Sequence, residues 1–312
     1  MKELLKDTWT TGLIVIKNDQ ILFEEYYLGN TPDTLSISWS VGKSFVSALI
    51  GIAIDEGFIE NVQVPVSDIV PELKNTGYDG VKLKDVLQMS SGVKFNEDYD
   101  AFFSDINRMG RTVAFGKSIN EFAASLERER APGTVNHYVS MDTQVLGMVL
   151  KAATGKTPSE YLEEKIWKQI GMQSDAKWLV DDEDMELVFG TLNVTLRDYA
   201  RFGRLYANNG NWEGNQVVPA QWVKASTTPD APHLMPGAKP LSKYKMGYGY
   251  QWWIPENPKG DFMALGVYGQ YIYVNPAKKV VIAQTSAFPF WKDELETNDV
   301  TMAWFQYLAD YL

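Results

Sequence analysis

A serine and a lysine stand three positions apart at Ser40 and Lys43, in the order Ser-Val-Gly-Lys. Residues three apart on a helix share a face, so this S-x-x-K spacing brings an amine close to a hydroxyl. A lysine that has lost its proton can take the serine proton, and the serine can then attack a carbonyl carbon to form an acyl-enzyme. Ser40 and Lys43 are therefore candidates for the nucleophile and base of acyl transfer.

The spacing alone is weak evidence, because it recurs in three polar, turn-like segments: Ser91/Lys94, Ser174/Lys177 and Ser242/Lys245. Lysines there are expected to be hydrated. Lys43, by contrast, is the only charged residue between Asp33 and Asp55. Burial disfavours an ammonium and can lower the pKa of a lysine by several units. A lysine that snorkels from a core helix, with Ser40 as its cap, explains this stretch equally well.

Several other kinds of chemistry are poorly supported by the composition. The chain has no cysteine, which excludes thiol nucleophiles, disulfides and thiolate metal sites. It has two histidines and neither G-x-S-x-G nor H-E-x-x-H. The acidic run at 181–184 is more typical of a solvated loop than of a cation site. The "ATGKTP" segment at 153–158 indicates a helix C-terminal turn, since a phosphate loop needs glycine at position 150. We expect neither a metal nor a cofactor.

Net charge and hydropathy limit the classes of partner that the protein is expected to bind. A formal net charge of −11 argues against nucleic acid, which needs a basic surface, and favours a small-molecule substrate. No apolar run is long and pure enough to span a bilayer. The opening "MKELLKDTWTTG" lacks the apolar core of a secretory signal, so we expect a cytoplasmic protein or a trimmed secreted form. The oligomeric state stays open, with a homodimer as one option.

The elements that must position the serine and lysine follow from the hydrophobic pattern. Two β-rich runs flank Asn18-Asp19 and predict a hairpin. Apolar residues cover every side of a helix over 41–54, which predicts a buried helix ended by Gly57. Helical segments then dominate from about residue 58 to 185, another helix is predicted in 196–210, and strand patterns return from about 247 before a closing helix. The predicted fold class is α+β, with an antiparallel sheet built from both chain ends, flanked by helices and interrupted by a mostly helical lobe. We predict an α/β lobe of residues 1–57 and 245–312, a helical lobe of 58–244, and a site at their junction.

A second motif, Tyr138-Val139-Ser140, precedes a predicted helix. Together with Ser40-x-x-Lys43 it resembles the serine β-lactamase and penicillin-binding-protein superfamily, with S-x-x-K and Y-x-S elements in the expected order. The sequence is most similar to the branch that holds class C β-lactamases, family VIII carboxylesterases and 6-aminohexanoate-dimer hydrolase. The resemblance covers nearly the whole chain and implies a β-lactamase/transpeptidase-like fold that acts through an acyl-enzyme without a cofactor.

The resemblance also implies roles for the motif residues. Ser40 would be the nucleophile, and Lys43 and Tyr138 would share the proton as the base, with a Tyr138 phenolate favoured beside the ammonium. The backbone amides of Ser40 and Val267 would form the oxyanion hole. Substrate-binding roles are expected for Ser140, which would bridge Lys43 to the leaving group, and for Gly266, which would let the strand approach the substrate.

Three further substrate-binding candidates have a packing role as an equal or better alternative: Tyr99, Tyr268 and Asn193. The family's third element, K-T-G, is replaced here by Ala264-Leu265-Gly266, so its lysine is missing. That departure favours a serine hydrolase of carboxylic esters or small linear amides. The alternatives are a weak β-lactamase or D-amino-acid peptidase, and a penicillin-binding sensor module that does not turn over.

Overall fold

The N-terminal hairpin turns where the sequence predicts it. Asn18 and Asp19 both have left-handed backbone angles, with φ of 49° and 64°, which suit a tight hairpin turn. They join strands β1 (Thr10–Lys17) and β2 (Gln20–Tyr26), which pair antiparallel. The computed structural model describes residues 2–239, 241–242 and 244–312.

A seven-stranded sheet joins the two ends of the chain. Its strand order is β2-β1-β11-β10-β9-β8-β7, and β1 pairs antiparallel with β11. The other strands are β3 (Ser36–Ile37), β4 (Asn193–Val194), β5 (Asn211–Trp212), β6 (Asn215–Gln216), β7 (Gly247–Tyr248), β8 (Trp253–Ile254), β9 (Phe262–Gly266), β10 (Gln270–Asn275) and β11 (Val280–Ser286). The central strands are buried along almost their whole length, because helices cover both faces.

The helices are α1 (Lys2–Asp7), α2 (Gly42–Asp55), α3 (Val66–Ile69), α4 (Leu83–Leu87), α5 (Asp105–Ala114), α6 (Ile119–Ala124), α7 (Ser140–Thr154), α8 (Pro158–Leu162), α9 (Leu196–Ala207), α10 (Ala220–Ser226) and α11 (Trp291–Tyr311). On one sheet face, Phe305 of α11 packs on Tyr271 and Tyr273, with ring centroids 5.6 and 5.8 Å away. On the other face, α9 contacts β1, β10 and β11. The predicted fold class is thus confirmed. Helix α9 lies within the range predicted for the helical lobe yet packs on the sheet; the lobe boundaries stay a prediction.

Helix α2 is the buried helix that the apolar stretch predicts. Every residue from Gly42 to Ala53 is buried, and Phe45 stacks on Phe202 of α9 with ring centroids 3.7 Å apart. The helix ends at Asp55, and Gly57 has a left-handed φ of 79°. The predicted start is one residue early, since Val41 belongs to a 3₁₀ turn over Trp39–Val41.

Two loops, at 153–158 and 181–184, were each given an interpretation from the sequence. Gly155 caps α7 with a left-handed φ of 69°, so 153–158 is a helix end, as predicted. The solvated-loop interpretation is wrong for Asp181, which is buried and accepts hydrogen bonds from the amides of Ile119, Glu183 and Met185 at 2.9–3.0 Å. Its carboxylate tethers this loop to the start of α6.

Within the described ranges, every helix is too short or too polar to cross a bilayer.

Candidate active site

Ser40 lies in a strained turn immediately before α2. Trp39, the residue before it, has a φ of 44°, which is unusual for a bulky side chain. The Trp39 ring packs on Tyr268, itself at a φ of 64°, with ring centroids 5.3 Å apart. Strain of this kind persists only where the surrounding structure imposes it, and it concentrates at functional sites. The turn presents Ser40 at the head of a buried helix.

The end of β9 lies directly against this turn. A Cβ added to Gly266 would come within 2.4 Å of the Ser38 carbonyl oxygen and 3.1 Å of the Ser40 amide nitrogen. Glycine is therefore required for the close approach of the two backbones. Val267 follows at once and opens the β9–β10 turn through Tyr268 and Gly269. This places Val267 at the strand edge beside Ser40, where the predicted oxyanion hole would lie.

Lys43 is only 1% exposed. Its burial lowers its pKa to about 8, although the nearby carboxyl groups of Glu97 and Asp142 act in the opposite direction. Its Nζ donates a hydrogen bond to Ser140 Oγ at 3.2 Å and lies 5.4 Å from the centre of the Tyr138 ring. The lysines of the other three S-x-x-K sequences, Lys94, Lys177 and Lys245, are exposed. Burial of the lysine thus distinguishes Ser40/Lys43 from the other three S-x-x-K sequences.

Tyr138 lies next to the Ser40 side chain, which acts to lower its pKa, and 8% of its surface is exposed. The Trp253 ring stacks on it, with centroids 5.6 Å apart and an interplanar angle of 18°. Burial, and then the neighbouring Tyr248 and Glu97 side chains, raise the pKa of Tyr138 well above its ordinary value. The structure therefore does not support the predicted phenolate. A raised pKa favours the neutral phenol of Tyr138, and a lowered pKa favours the neutral amine of Lys43.

Glu97 completes the contacts around Ser140 and was missed by sequence reasoning. Its Oε1 accepts from Ser140 Oγ at 2.5 Å and its Oε2 from the Ser140 amide at 3.0 Å. The Tyr99 hydroxyl also donates to Oε1, at 3.2 Å. The sequence holds one signal, an acidic residue two positions before Tyr99. It gives no reason to prefer Glu97 over its acidic neighbours Asp98 and Asp100.

A second carboxyl group, Asp142, was also missed. It lies in the first turn of α7, fully buried, and accepts a hydrogen bond from the Tyr78 hydroxyl at 2.9 Å. Burial raises the pKa of Asp142 to about 8, against the opposing effects of Ser91, Tyr78 and Lys43. The lysine thus lies in an apolar site with acidic groups on two sides, one from the loop before α5 and one from α7.

Three further predicted residues lie around these groups. Tyr99 is joined to the site by its hydrogen bond to Glu97, and Tyr268 by the packing of its ring on Trp39. Asn193 lies on β4, and its side-chain amide donates to the carbonyl oxygens of Thr191 at 2.9 Å and Lys177 at 3.4 Å. These bonds hold the segment that pairs with β3, just before the Ser40 turn. A substrate contact for Asn193 stays a prediction.

Comparison with known proteins gives a consistent result. The chain is 30% identical to the 6-aminohexanoate-dimer hydrolase of Paenarthrobacter ureafaciens over 93% of its own length and 75% of that protein. A solved Bacillus anthracis structure provisionally described as a 6-aminohexanoate-dimer hydrolase superposes with a TM-score of 0.87 at 28% identity, covering 100% of this chain and 81% of the other. EstCE1, described as a hydrolase with promiscuous acyltransferase activity, shares the fold alone, with a TM-score of 0.70 at 13% identity over 91% of each chain.

The family model for beta-lactamase matches residues 1–302, which is almost the whole chain. The match extends from the hairpin through the Ser40 turn, α7 and the C-terminal strands, so it includes every element that lines the site. The protein therefore belongs to the beta-lactamase family and is a hydrolase of the serine β-lactamase superfamily.

Proposed function

We propose that this hydrolase forms an acyl-enzyme on Ser40 and acts on small linear amides and carboxylic esters, with Lys43 and Tyr138 moving the proton. The observation that carries the proposal is the fully buried Lys43, three positions after Ser40, whose pKa is lowered to about 8 and whose Nζ lies 5.4 Å from the centre of the Tyr138 ring. The 30% identity to a 6-aminohexanoate-dimer hydrolase supports the substrate class.

The reaction starts with Lys43 as a neutral amine. The Ser40 proton passes to Tyr138 while the Tyr138 proton passes to Lys43. The phenol therefore passes on a proton without remaining ionised. Ser40 Oγ then bonds to the carbonyl carbon, and the amides of Ser40 and Val267 hold the developing oxyanion. The proton returns by the same path to the leaving amine or alcohol as the bond to it breaks. A water molecule, activated in the same way, releases the acid.

The alternative of a dedicated β-lactamase receives less support. Ala264, at the position of the missing lysine, is 1% exposed and packs in the core. A methyl group there offers no charge to a substrate carboxylate. Linear amides and esters without a carboxylate beside the scissile bond do not need that charge.

The test is a covalent probe combined with a substrate panel. A fluorophosphonate should label Ser40, and Ser40→Ala should lose both labelling and turnover. Ser174→Ala, in another S-x-x-K sequence, is the matched control and should keep both. A nitrophenyl ester, a linear aminohexanoate dimer and nitrocefin would be compared on one preparation, with the first two hydrolysed faster. Full activity in Ser40→Ala, or a stable adduct that never releases its acyl group, would contradict the proposal.

A further inference from the structure

Ser140 has a single hydroxyl proton, and the structure shows where it goes. The short 2.5 Å contact to Glu97 Oε1 takes that proton, because a carboxylate can only accept. The Ser140 lone pairs are then left for Lys43, which donates to the same oxygen at 3.2 Å. Ser140 in this arrangement is an acceptor for Lys43, so it cannot also donate to a leaving group.

Glu97 fixes this direction with both of its oxygens. While Oε1 holds the Ser140 hydroxyl, Oε2 holds the Ser140 backbone amide at 3.0 Å, at the first residue of α7. Two hydrogen bonds from one residue to one carboxylate define its orientation, and bonds to a charged acceptor are stronger than neutral ones. The Tyr99 hydroxyl, which donates to Oε1, further restrains the carboxylate.

We infer that Glu97 is a positioning residue that keeps Ser140 turned as the hydrogen-bond acceptor of Lys43 and thereby sets the aim of the amine. This inference rests on the proposed function and deepens it. Glu97 acts through Ser140 and Lys43 and needs no contact with the substrate.

The charged groups around Lys43 make the role of Glu97 measurable as a shift in the pH dependence of activity. The ionisable groups that face it are Glu97 from the loop before α5, Asp142 from α7 and Tyr138 from the segment before α7. Tyr138, like its neighbours Tyr99 and Tyr248, has its pKa raised well above the ordinary value, so the phenols stay neutral. Of the two carboxyl groups, Glu97 is the larger influence that favours the ammonium. Loss of its charge should make Lys43 lose its proton at lower pH.

The experiment is Glu97→Gln with a full pH profile of kcat/KM on a nitrophenyl ester. Glutamine keeps the shape but removes the charge, and its NH2 group cannot accept one of the two Ser140 donors. The acid limb should move down by about 1 pH unit, as expected for removal of a nearby opposite charge. kcat should fall roughly tenfold from the loss of one part-buried hydrogen bond. Asp98→Asn is the matched control. Asp98 is exposed and accepts from the Asp100 amide at 3.0 Å, so the acid limb and kcat should not change.

Two further variants separate positioning from folding. Glu97→Asp keeps the charge but is one methylene shorter, so kcat should fall while the acid limb stays in place. In a Ser140→Ala background, Glu97→Gln should reduce kcat far less than in wild type, since no hydroxyl is left to orient. An unmoved acid limb in Glu97→Gln, or the same kcat loss in both backgrounds, would overturn the inference. Failure of the proposed function is recognised separately, because Ser40→Ala would then retain activity.

Discussion

The pH dependence of turnover follows directly from the burial of Lys43. A lysine at its ordinary pKa of 10.5 is neutral in only about 0.03% of molecules at pH 7, whereas a pKa of about 8 makes about 9% neutral. Burial therefore supplies roughly a 300-fold larger population of the base form. Below pH 8 that population grows about tenfold per pH unit, and above pH 8 it saturates. We expect kcat/KM to rise with slope near one from pH 6 to 7.5 and to level off above pH 8.

The assay is kcat/KM for a nitrophenyl ester between pH 6 and 9.5, with product read after adjustment to one common pH. Lys43→Met should lower kcat/KM roughly a thousandfold, within the range of general acid–base contributions, and remove the acid limb. Lys94→Met is the matched control, because Lys94 also ends an S-x-x-K sequence but is exposed. A flat wild-type profile, an acid limb near pH 10, or an acid limb that survives in Lys43→Met would refute the reasoning.

Three further outcomes are expected. Gly266→Ala should lower kcat about 100-fold, because its Cβ would lie 2.4 Å from the Ser38 carbonyl oxygen and displace the Ser40 turn; an unchanged kcat would contradict this close approach. Gly51→Ala places a Cβ within 2.5 Å of the Trp222 ring and should cost about 1–3 kcal/mol in urea unfolding, with kcat/KM of the folded enzyme retained; unchanged stability would count against this packing. Because the folded pKa of Lys43 lies below its unfolded value, the unfolded state binds the extra proton between about pH 8 and 10.5, so wild-type stability should gain about 2 kcal/mol from pH 7 to 9.5. Lys43→Met should lack this gain in urea unfolding, and equal pH dependence in the two proteins would contradict the lowered pKa.

Local features of the chain were accessible from the sequence. The hairpin at Asn18-Asp19 and the cap at Gly155 follow from which residues tolerate left-handed backbone angles. The buried helix over Gly42–Asp55 follows from apolar residues on all of its sides. Lys43 could be preferred over three other lysines because it alone is surrounded by apolar sequence, although a snorkelling lysine explained that stretch equally well. Each of these inferences depends on residues within one or two turns of each other.

The lining of the site depended on contacts between distant segments. Glu97 reaches Ser140 across 43 positions, and nothing nearby in the sequence distinguishes it from Asp98 or Asp100. Distant segments likewise determine the surroundings of Tyr138. Its proximity to a lysine favours a phenolate, but Trp253 and the surrounding core remove the water that would stabilise one.

The sequence by itself determined the left-handed turns, the buried helix and the serine-lysine spacing, because backbone preference and hydrophobic periodicity are local properties. The order of strands and helices along the chain also predicted a sheet built from both ends. Only the tertiary structure decided which carboxyl groups surround the lysine, which way the Ser140 hydroxyl points and how the pKa values of Lys43 and Tyr138 are shifted. Those properties depend on desolvation, and desolvation is set by the sum of all segments packed around a side chain rather than by the residues beside it in the chain.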